Sequence, residues 1–322
     1  MGLNWTIALP TYHGQKYLAE TLASVLAQTD QNFELIVCDD GSNDDTLKIV
    51  AEMCGSRARI ISNASGNPFG LAGNWNRCVE QSNGEWVTIL HQDDLLKPDF
   101  IEFHRKVVGL NSDLGMLTGP APLIDSLGNT VEVEIEQEFQ WPEADLVVWP
   151  IHALSRVLVR SNPIRCPSTS IRRDLHLQSG GFDGRWKYVV DWDFWHRIGQ
   201  LGAVGLTGKV LANQRWHASS ETQKLAKGTI DLEENSRLMR AILAGEPFTE
   251  SERPLIESEI RSRMTRAWFN RAYEAACRGD RKLEKTALSH AASESWRFLA
   301  RLAATHPKAL ARMIYGWQSR AR

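Results

Sequence analysis

The chain of 322 residues lacks any apolar run long enough to span a bilayer. It also lacks an excess of one charge. Its 37 Lys and Arg stand against 39 Asp and Glu, a formal net charge of −2, so composition implies no affinity for nucleic acid. Cysteines are few, five in all and scattered without the close pairs of a zinc site. They read as reduced thiols of a cytoplasmic protein. No signal peptide is expected, because "MGLNWTIALP" enters the first strand directly. Gly2 with Thr6 fits a myristoylation pattern, but so early a strand leaves too little free N-terminus for it. No internal repeat or low-complexity tract is present. The length suits one large domain with an appendage.

What is there begins with "ILHQDDLLKPDF". An apolar strand, Val87 to Leu90, ends in the adjacent carboxylates Asp93 and Asp94, and Pro98 opens the next helix. Like charges repel where water is scarce. A hard divalent cation resolves that repulsion with oxygen ligands, and in turn attracts a diphosphate. The plain alternative is an exposed acidic turn that caps a helix. A second strand, Phe33 to Cys38 in "FELIVCDDGSNDDT", runs into Asp39, Asp40, Gly41 and Ser42, after which Asp44 or Asp45 caps a helix. The first strand, "WTIALPTYHG", ends in a turn at Pro10, Thr11 and Tyr12. Leu18, Leu22, Val25 and Leu26 form the stripe of the first helix. Further helices are expected over Asp45–Met53 and Leu71–Gln81. In open α/β sheets ligands bind beyond the carboxyl ends of strands, so these polar ends converge on one crevice. Asn74 and Asn76 line its donor side, and His91 reads as structural.

The second half carries "GGFDGRWKYVVDWDFWHRIGQLG". Gly180 and Gly181 make a tight turn, and a helix starts near Asp191 with Phe194, Trp195, Ile198 and Leu201 as its buried stripe. At a helix start a carboxylate is also a mere N-cap. A strand-like run, Ala203 to Trp216, leads to His217. Arg215 either offsets phosphate charge or sits in water. Trp186, Trp192, Trp195 and Trp216 gather in sequence here; aromatic faces stack on sugar C–H surfaces, and Trp186 and Trp192 are assigned to an acceptor pocket. Asp125 to Asn162 reads as loop. From about Ile230 the texture turns helical: Leu232, Leu238 and Ile242 mark one helix, Pro247 breaks it, and Ile256, Ile260, Met264, Ala267, Trp268 and Arg271 mark another. Trp296 to Arg322 holds no acid, and Leu310, Met313, Ile314 and Trp317 share a helical face. These helices pack on the catalytic domain or a second subunit, or the last lies on an anionic membrane surface.

The order "ALPTYHGQKYLAETLASVLAQT", "FELIVCDDGSNDDT", "GLAGNWNRCVEQSNGEWVTILHQDD" resembles the GT-A fold glycosyltransferases of family 2, over roughly the first two thirds of the chain. The resemblance implies an α/β, Rossmann-like, mostly parallel sheet flanked by helices. It divides the chain into 1–228, with a nucleotide-sugar half (1–112) and an acceptor half (113–228), and a helical region, 229–322. It implies that Pro10, Thr11, Tyr12, Asp39 and Asp40 hold the nucleoside, a carboxylate accepting the N3–H of uracil or thymine. The family's DXD motif reads Gln92, Asp93, Asp94 here, with an amide for the first acid. Asp94 is then the metal ligand and Asp93 a ribose contact or a support behind the ligand, which leaves the ligand count open. Asp191 matches the general base of the family's "EDWDLW" element, with Val190 in place of the glutamate; Asp193 orients or caps. His217 matches a histidine that meets metal or diphosphate. The implied activity is an inverting, Mn2+- or Mg2+-dependent transfer from a UDP- or dTDP-sugar to a hydroxyl of a saccharide or lipid-linked acceptor, in the cytoplasm or at the membrane's inner face. A nucleotidyltransferase on a similar fold needs a glycine-rich basic loop after strand one, and "PTYHGQKY" offers one glycine and one lysine. A non-catalytic sugar-binding subunit would lack Asp94 and Asp191, and both are present.

Overall fold

The computed structural model describes residues 4–131, 139–218, 220–307 and 313. The chain forms two compact units, one of Met1–Trp186 with Val190–Ala218, the other of Lys187–Val189 with Ser219–Arg322. The first unit opens with β1 (Trp5–Thr11), α1 (Leu18–Leu26), β2 (Glu34–Asp39), α2 (Thr46–Cys54), β3 (Ala58–Ser62), α3 (Gly70–Gln81) and β4 (Trp86–Ile89). It continues through β5 (Leu95–Leu96), α4 (Phe100–Gly109), β6 (Leu114–Thr118), β7 (Leu123–Ile124), β8 (Val147–Trp149) and α5 (Ser155–Leu158). It closes with β9 (Ser170–Arg172), α6 (Arg173–Ser179), α7 (Val190–Gly199), β10 (Ala203–Leu206) and β11 (Ala212–Arg215).

Eight strands form one sheet in the order β3-β2-β1-β4-β9-β6-β10-β8, and β5-β11-β7 form a second, small sheet. Strands β3, β2, β1 and β4 are mutually parallel, as are β6 and β10, while β9 runs antiparallel between β4 and β6. This is an α/β fold with a mostly parallel sheet. Every residue of β1 is buried, as expected of a strand covered on both faces. Ile7 and Leu9 pack with Leu18, Leu22 and Val25 of α1 and with Phe100 of α4. Inside that core runs a polar chain that ends at His104, whose Nε2 has no hydrogen-bond partner. Trp5 Nε1 donates to Thr88 Oγ1 at 3.1 Å, Thr88 and Ser170 share a bond of 2.7 Å, and His104 Nδ1 meets Ser170 Oγ at 2.8 Å. Burial pushes the His104 pKa down to about 3, so the ring is neutral at physiological pH. The register then matters for function: Thr11, Asp39 and Ser62 align across β1, β2 and β3 at their carboxyl ends.

Several elements differ from the sequence expectations. The run from Ala203 to Trp216 is not one strand. It is β10 in the large sheet and β11 in the small one, parted by a turn where Gly208 passes so close to the Pro142 carbonyl that no Cβ fits. The stretch after Asp94 does not lead straight into a helix at Pro98. Leu95 and Leu96 pair with Asn213 and Ala212 first, and α4 begins at Phe100. The assumed loop from Asp125 to Asn162 contains β8 and α5. Of the C-terminal face named above, Leu310, Ile314 and Trp317 lie outside the described residues, as does Gly2.

The second unit contains α8 (Glu221–Leu225), α9 (Ile230–Ala244), α10 (Arg253–Arg278) and α11 (Arg281–Thr305). Ile256, Ile260, Met264, Trp268 and Ala272 form the buried stripe of α10, and Leu238 and Ile242 that of α9. Two buried acids hold the unit together. Glu234 accepts the backbone N–H groups of Lys187, Tyr188 and Val189, which fixes that short segment to α9. Asp231 takes a bidentate bond from Arg271, at 3.0 and 2.7 Å, with both side chains under 10% exposed. Among the described residues no helix is long and apolar enough to cross a membrane. Removing one partner of a buried pair strands the other charge, a cost of about 3–5 kcal/mol. Asp231→Ala is therefore expected to lower the urea midpoint of this unit sharply. A loss under about 1 kcal/mol, the range of an exposed pair, would show that the pair does not hold the helices.

Candidate active site

Three turns at the carboxyl ends of β1, β2 and β4 build the site. The turn after β2 is organised by its two acids. Asp39 Oδ1 accepts the N–H groups of Gly41 (3.1 Å) and Ser42 (2.9 Å), and its Oδ2 accepts the hydroxyls of Thr11 (3.0 Å) and Ser42 (2.6 Å). Asp40 Oδ1 accepts Asn63 Nδ2 and the Phe69 N–H, and its Oδ2 accepts the Gly70 N–H at 2.9 Å. The last two donors stand at the amino end of α3, where a carboxylate complements both the unpaired N–H groups and the helix dipole. Both acids are buried. The turn after β1 is laced to this one: His13 N–H donates to Ser42 Oγ, Gly14 N–H to Thr46 Oγ1 and Gln15 N–H to Asp44 Oδ2. Tyr12 leaves its ring 47% exposed above this base, against His13.

The turn after β4 carries His91, Gln92, Asp93 and Asp94. Asp94 is 1% exposed, its Oδ1 accepts the Arg215 N–H at 2.8 Å, and its Oδ2 has no hydrogen-bond partner. Burial pushes its carboxyl pKa up, with the neighbouring Asp93 charge adding to that and His91 opposing it. His91 Nδ1 lies 3.5 Å from Asp94 Oδ2. Burial disfavours a charged His91 ring, but Cys166 and Asp94 beside it more than offset that and raise its pKa. Asp93 Oδ2 meets His217 Nε2 at 2.8 Å. One ligand atom each from His91, Asp93 and Asp94 falls within 4.8 Å of the others, and a buried acid oxygen without a partner is what a cation would satisfy. The donor set therefore fits a divalent ion. The sequence gives His91 a structural role, and its ring does stack on Trp75, while its imidazole also lies beside the two carboxylates. The sequence also leaves Arg215 facing phosphate or water. The structure buries it: its guanidinium donates to the carbonyls of Asp93 (2.9 Å) and Asp125 (3.1 Å) and to Glu20 Oε2 (2.7 Å), over the Tyr17 ring.

Asp191 lies in the first turn of α7. Its Oδ1 accepts the Trp192 N–H at 2.8 Å and its Oδ2 faces Asn162 Nδ2 at 3.4 Å. Burial pushes its carboxyl pKa up, with the Trp192 N–H and the His91 and Arg165 charges opposing, so Asp191 and His91 share one electrostatic neighbourhood. Asp193 is paired with Arg197 one turn on, at 2.8 Å. Trp192 is 6% exposed and donates Nε1 to the Leu158 carbonyl, whereas Trp186 is half-buried. Asn74 reaches the Cys38 carbonyl at 2.9 Å. Asn76 clasps the backbone of Phe182 in both directions, with Nδ2 to the carbonyl and Oδ1 from the N–H. Both amides thus bridge elements around the site.

Residues 6–106 match the sequence model described as Glycosyl transferase family 2. An uncharacterized glycosyltransferase of Rickettsia prowazekii is 28% identical over 220 residues, covering 67% of this chain. The match spans 65% of that relative's own length. Among solved structures, S. aureus TarS 1-349 in complex with UDP-GlcNAc is similar at a TM-score of 0.65 and 18% identity, over 95% of this chain and 92% of that one. The mannosyltransferase PcManGT of Pyrobaculum calidifontis, in complex with GDP-Man and Mn2+, is similar at 0.57 and 13%, over 99% of this chain and 88% of that one. Both likenesses show a shared GT-A fold. The site itself yields a test. Asp94→Asn keeps the acceptor for the Arg215 N–H but removes the charge from Oδ2. The variant is expected to melt like the wild type and to lose at least about tenfold in Mn2+ affinity, equivalent to 1.4 kcal/mol, by titration calorimetry. Unchanged Mn2+ affinity would move the cation elsewhere.

Proposed function

The chain carries a family 2 glycosyltransferase domain, and from that premise we propose that it is an inverting transferase. It moves a sugar from a UDP- or dTDP-sugar to a hydroxyl of a saccharide or lipid-linked acceptor. One observation carries the reading. The buried Asp94 oxygen that has no hydrogen-bond partner, with Asp93 and His91 beside it, shares its surroundings with a second, half-buried acid, Asp191, whose pKa is raised. A cation site next to an elevated carboxylate supplies the two groups that such a transfer needs.

In this reading the turns after β1 and β2 take the nucleoside. Tyr12 offers its exposed ring, the open lone pair of Asp40 Oδ2 accepts from the base, and Asp39, whose oxygens already take two donors each, holds the turn in shape for it. Asp94, Asp93 and His91, with His217 behind Asp93, would hold a Mn2+ or Mg2+ ion. When bound, the ion would neutralise charge on the diphosphate leaving group. Asp191 takes the proton of the acceptor hydroxyl as that oxygen attacks the anomeric carbon from the face opposite the diphosphate, which inverts the centre. Trp186, the more exposed of the two expected tryptophans, flanks the acceptor side. Cytoplasmic action is favoured by five free cysteines, four of them buried.

The raised pKa sets a pH dependence. Asp191 accepts a proton only when ionised, so transfer rises with pH through its folded pKa and levels off above it. The acid limb of the rate should lie above the ordinary aspartate value of about 3.9. Asp191→Asn keeps the acceptor for the Trp192 N–H but cannot take a proton at neutral pH. With a nucleotide-sugar panel and added Mn2+ or Mg2+, it is expected to bind UDP and melt like the wild type. Its transfer should be slower by about 10²–10⁴. Near-normal transfer would return Asp191 to helix capping and send the search for the base elsewhere, first to Asp193.

A further inference from the structure

Gln92 precedes the two acids of the turn after β4, and its amide does something a carboxylate cannot. Its Oε1 accepts the Tyr12 N–H at 2.8 Å, and its Nε2 donates to the Tyr12 carbonyl at 3.0 Å. The two bonds reproduce a strand-like pairing between the turn after β4 and the turn after β1, 80 residues apart. A carboxylate accepts only, so Asp or Glu here would repel the Tyr12 carbonyl. The approach is close. A Cβ on Gly14 would lie 2.8 Å from Gln92 Cδ and nearer still to its Oε1, and the three atoms nearest to it all belong to Gln92. Gly14 is therefore the residue that lets the amide in. On its other side the same turn is laced to the Asp39–Thr46 segment through His13, Gly14 and Gln15, and His13 holds a positive φ of 49°. Such a backbone conformation is costly for a residue other than glycine and needs its surroundings to hold it.

We infer that Gln92 is a positioning residue that latches the Tyr12 turn to the acid turn and so presets the nucleoside pocket next to the cation site. The inference rests on the proposed nucleotide site and adds to it a residue that need not touch the ligand. The metal side of the turn keeps Asp93, Asp94 and His91, while its second residue is given over to the neighbouring turn. An already ordered pocket binds with less loss of conformational entropy, and the latch contributes in that way.

The test uses the full chain as Gln92→Ala, Gln92→Glu, Gly14→Ala and the double variant Gly14→Ala/Gln92→Ala. It reads amide hydrogen exchange at Tyr12, UDP affinity in the presence of Mn2+, and melting temperature. Gln92→Ala and Gln92→Glu should each speed Tyr12 exchange and weaken UDP by about tenfold, the scale of one or two net hydrogen bonds, with melting close to wild type. Gly14→Ala should do the same while Gln92 is intact, and add little once the amide has been removed, because the two nearest atoms, Oε1 and Cδ, are gone and only Cβ at 3.3 Å remains. Unchanged exchange and affinity in Gln92→Ala overturn the latch. So does a Gly14→Ala loss of equal size in both backgrounds. If UDP affinity falls while Tyr12 exchange stays slow, Gln92 touches the ligand directly and the positioning role is wrong. If the wild type binds no UDP, the nucleotide reading fails first, and this inference with it.

Discussion

A carboxylate closed off from water must find donors or a cation, and the Asp94–Arg215 contact meets half of that demand. The Arg215 backbone takes one oxygen of Asp94, while its guanidinium grips the carbonyls of Asp93 and Asp125 and the carboxylate of Glu20. One residue of β11 thus fixes the turn after β4, the chain after β7 and helix α1. The second Asp94 oxygen stays without a hydrogen-bond partner, with His91 Nδ1 3.5 Å away. The geometry of the acid turn is held by hydrogen bonds from a buried cation, and its surplus charge is left available. A surface arginine in the same sequence position would give the turn no such definition.

Asp39 and Asp40 show a different use of the same chemistry. Each carboxylate is surrounded by donors from the chain itself, so these acids give the turn after β2 its shape without any ligand. Asp191 is the contrast. It has one short bond, from the Trp192 N–H, and one long one, to Asn162. Burial raises its carboxyl pKa, and of these three acids it is the one left with fewest donors.

Much of this was legible in the sequence, and the limits have physical causes. The first three helices and β1, β2 and β4 follow from apolar runs punctuated by Pro, Gly and Asp, signals local to each element. The acid turns announced themselves because paired aspartates after a buried strand are electrostatically costly. Short strands such as β5, β7 and β8 were missed because two or three residues carry no periodicity, and their identity comes only from partners far along the chain. For the same reason Ala203–Trp216 read as one strand. Its apolar pattern is continuous, and only the close pass of Gly208 by Pro142 reveals the change of sheet. Arg215 and Gln92 were ambiguous because a polar side chain's role depends on which carbonyls it meets, here those of Asp93, Asp125 and Tyr12.

The small sheet has a consequence for how the protein is made. Asp94 is completed by a backbone N–H that lies 121 residues later, and Glu20 by a guanidinium 195 residues later. Contacts so distant in sequence form late in folding, since a long loop must close before they repay its entropy. Translation runs from the amino end. A nascent chain can therefore assemble β1 to β4 and their helices while the acid turn after β4 is still unfinished. That turn is completed late, when β11 slots between β5 and β7, and a partly synthesised chain holds Asp94 without the backbone N–H that fixes it.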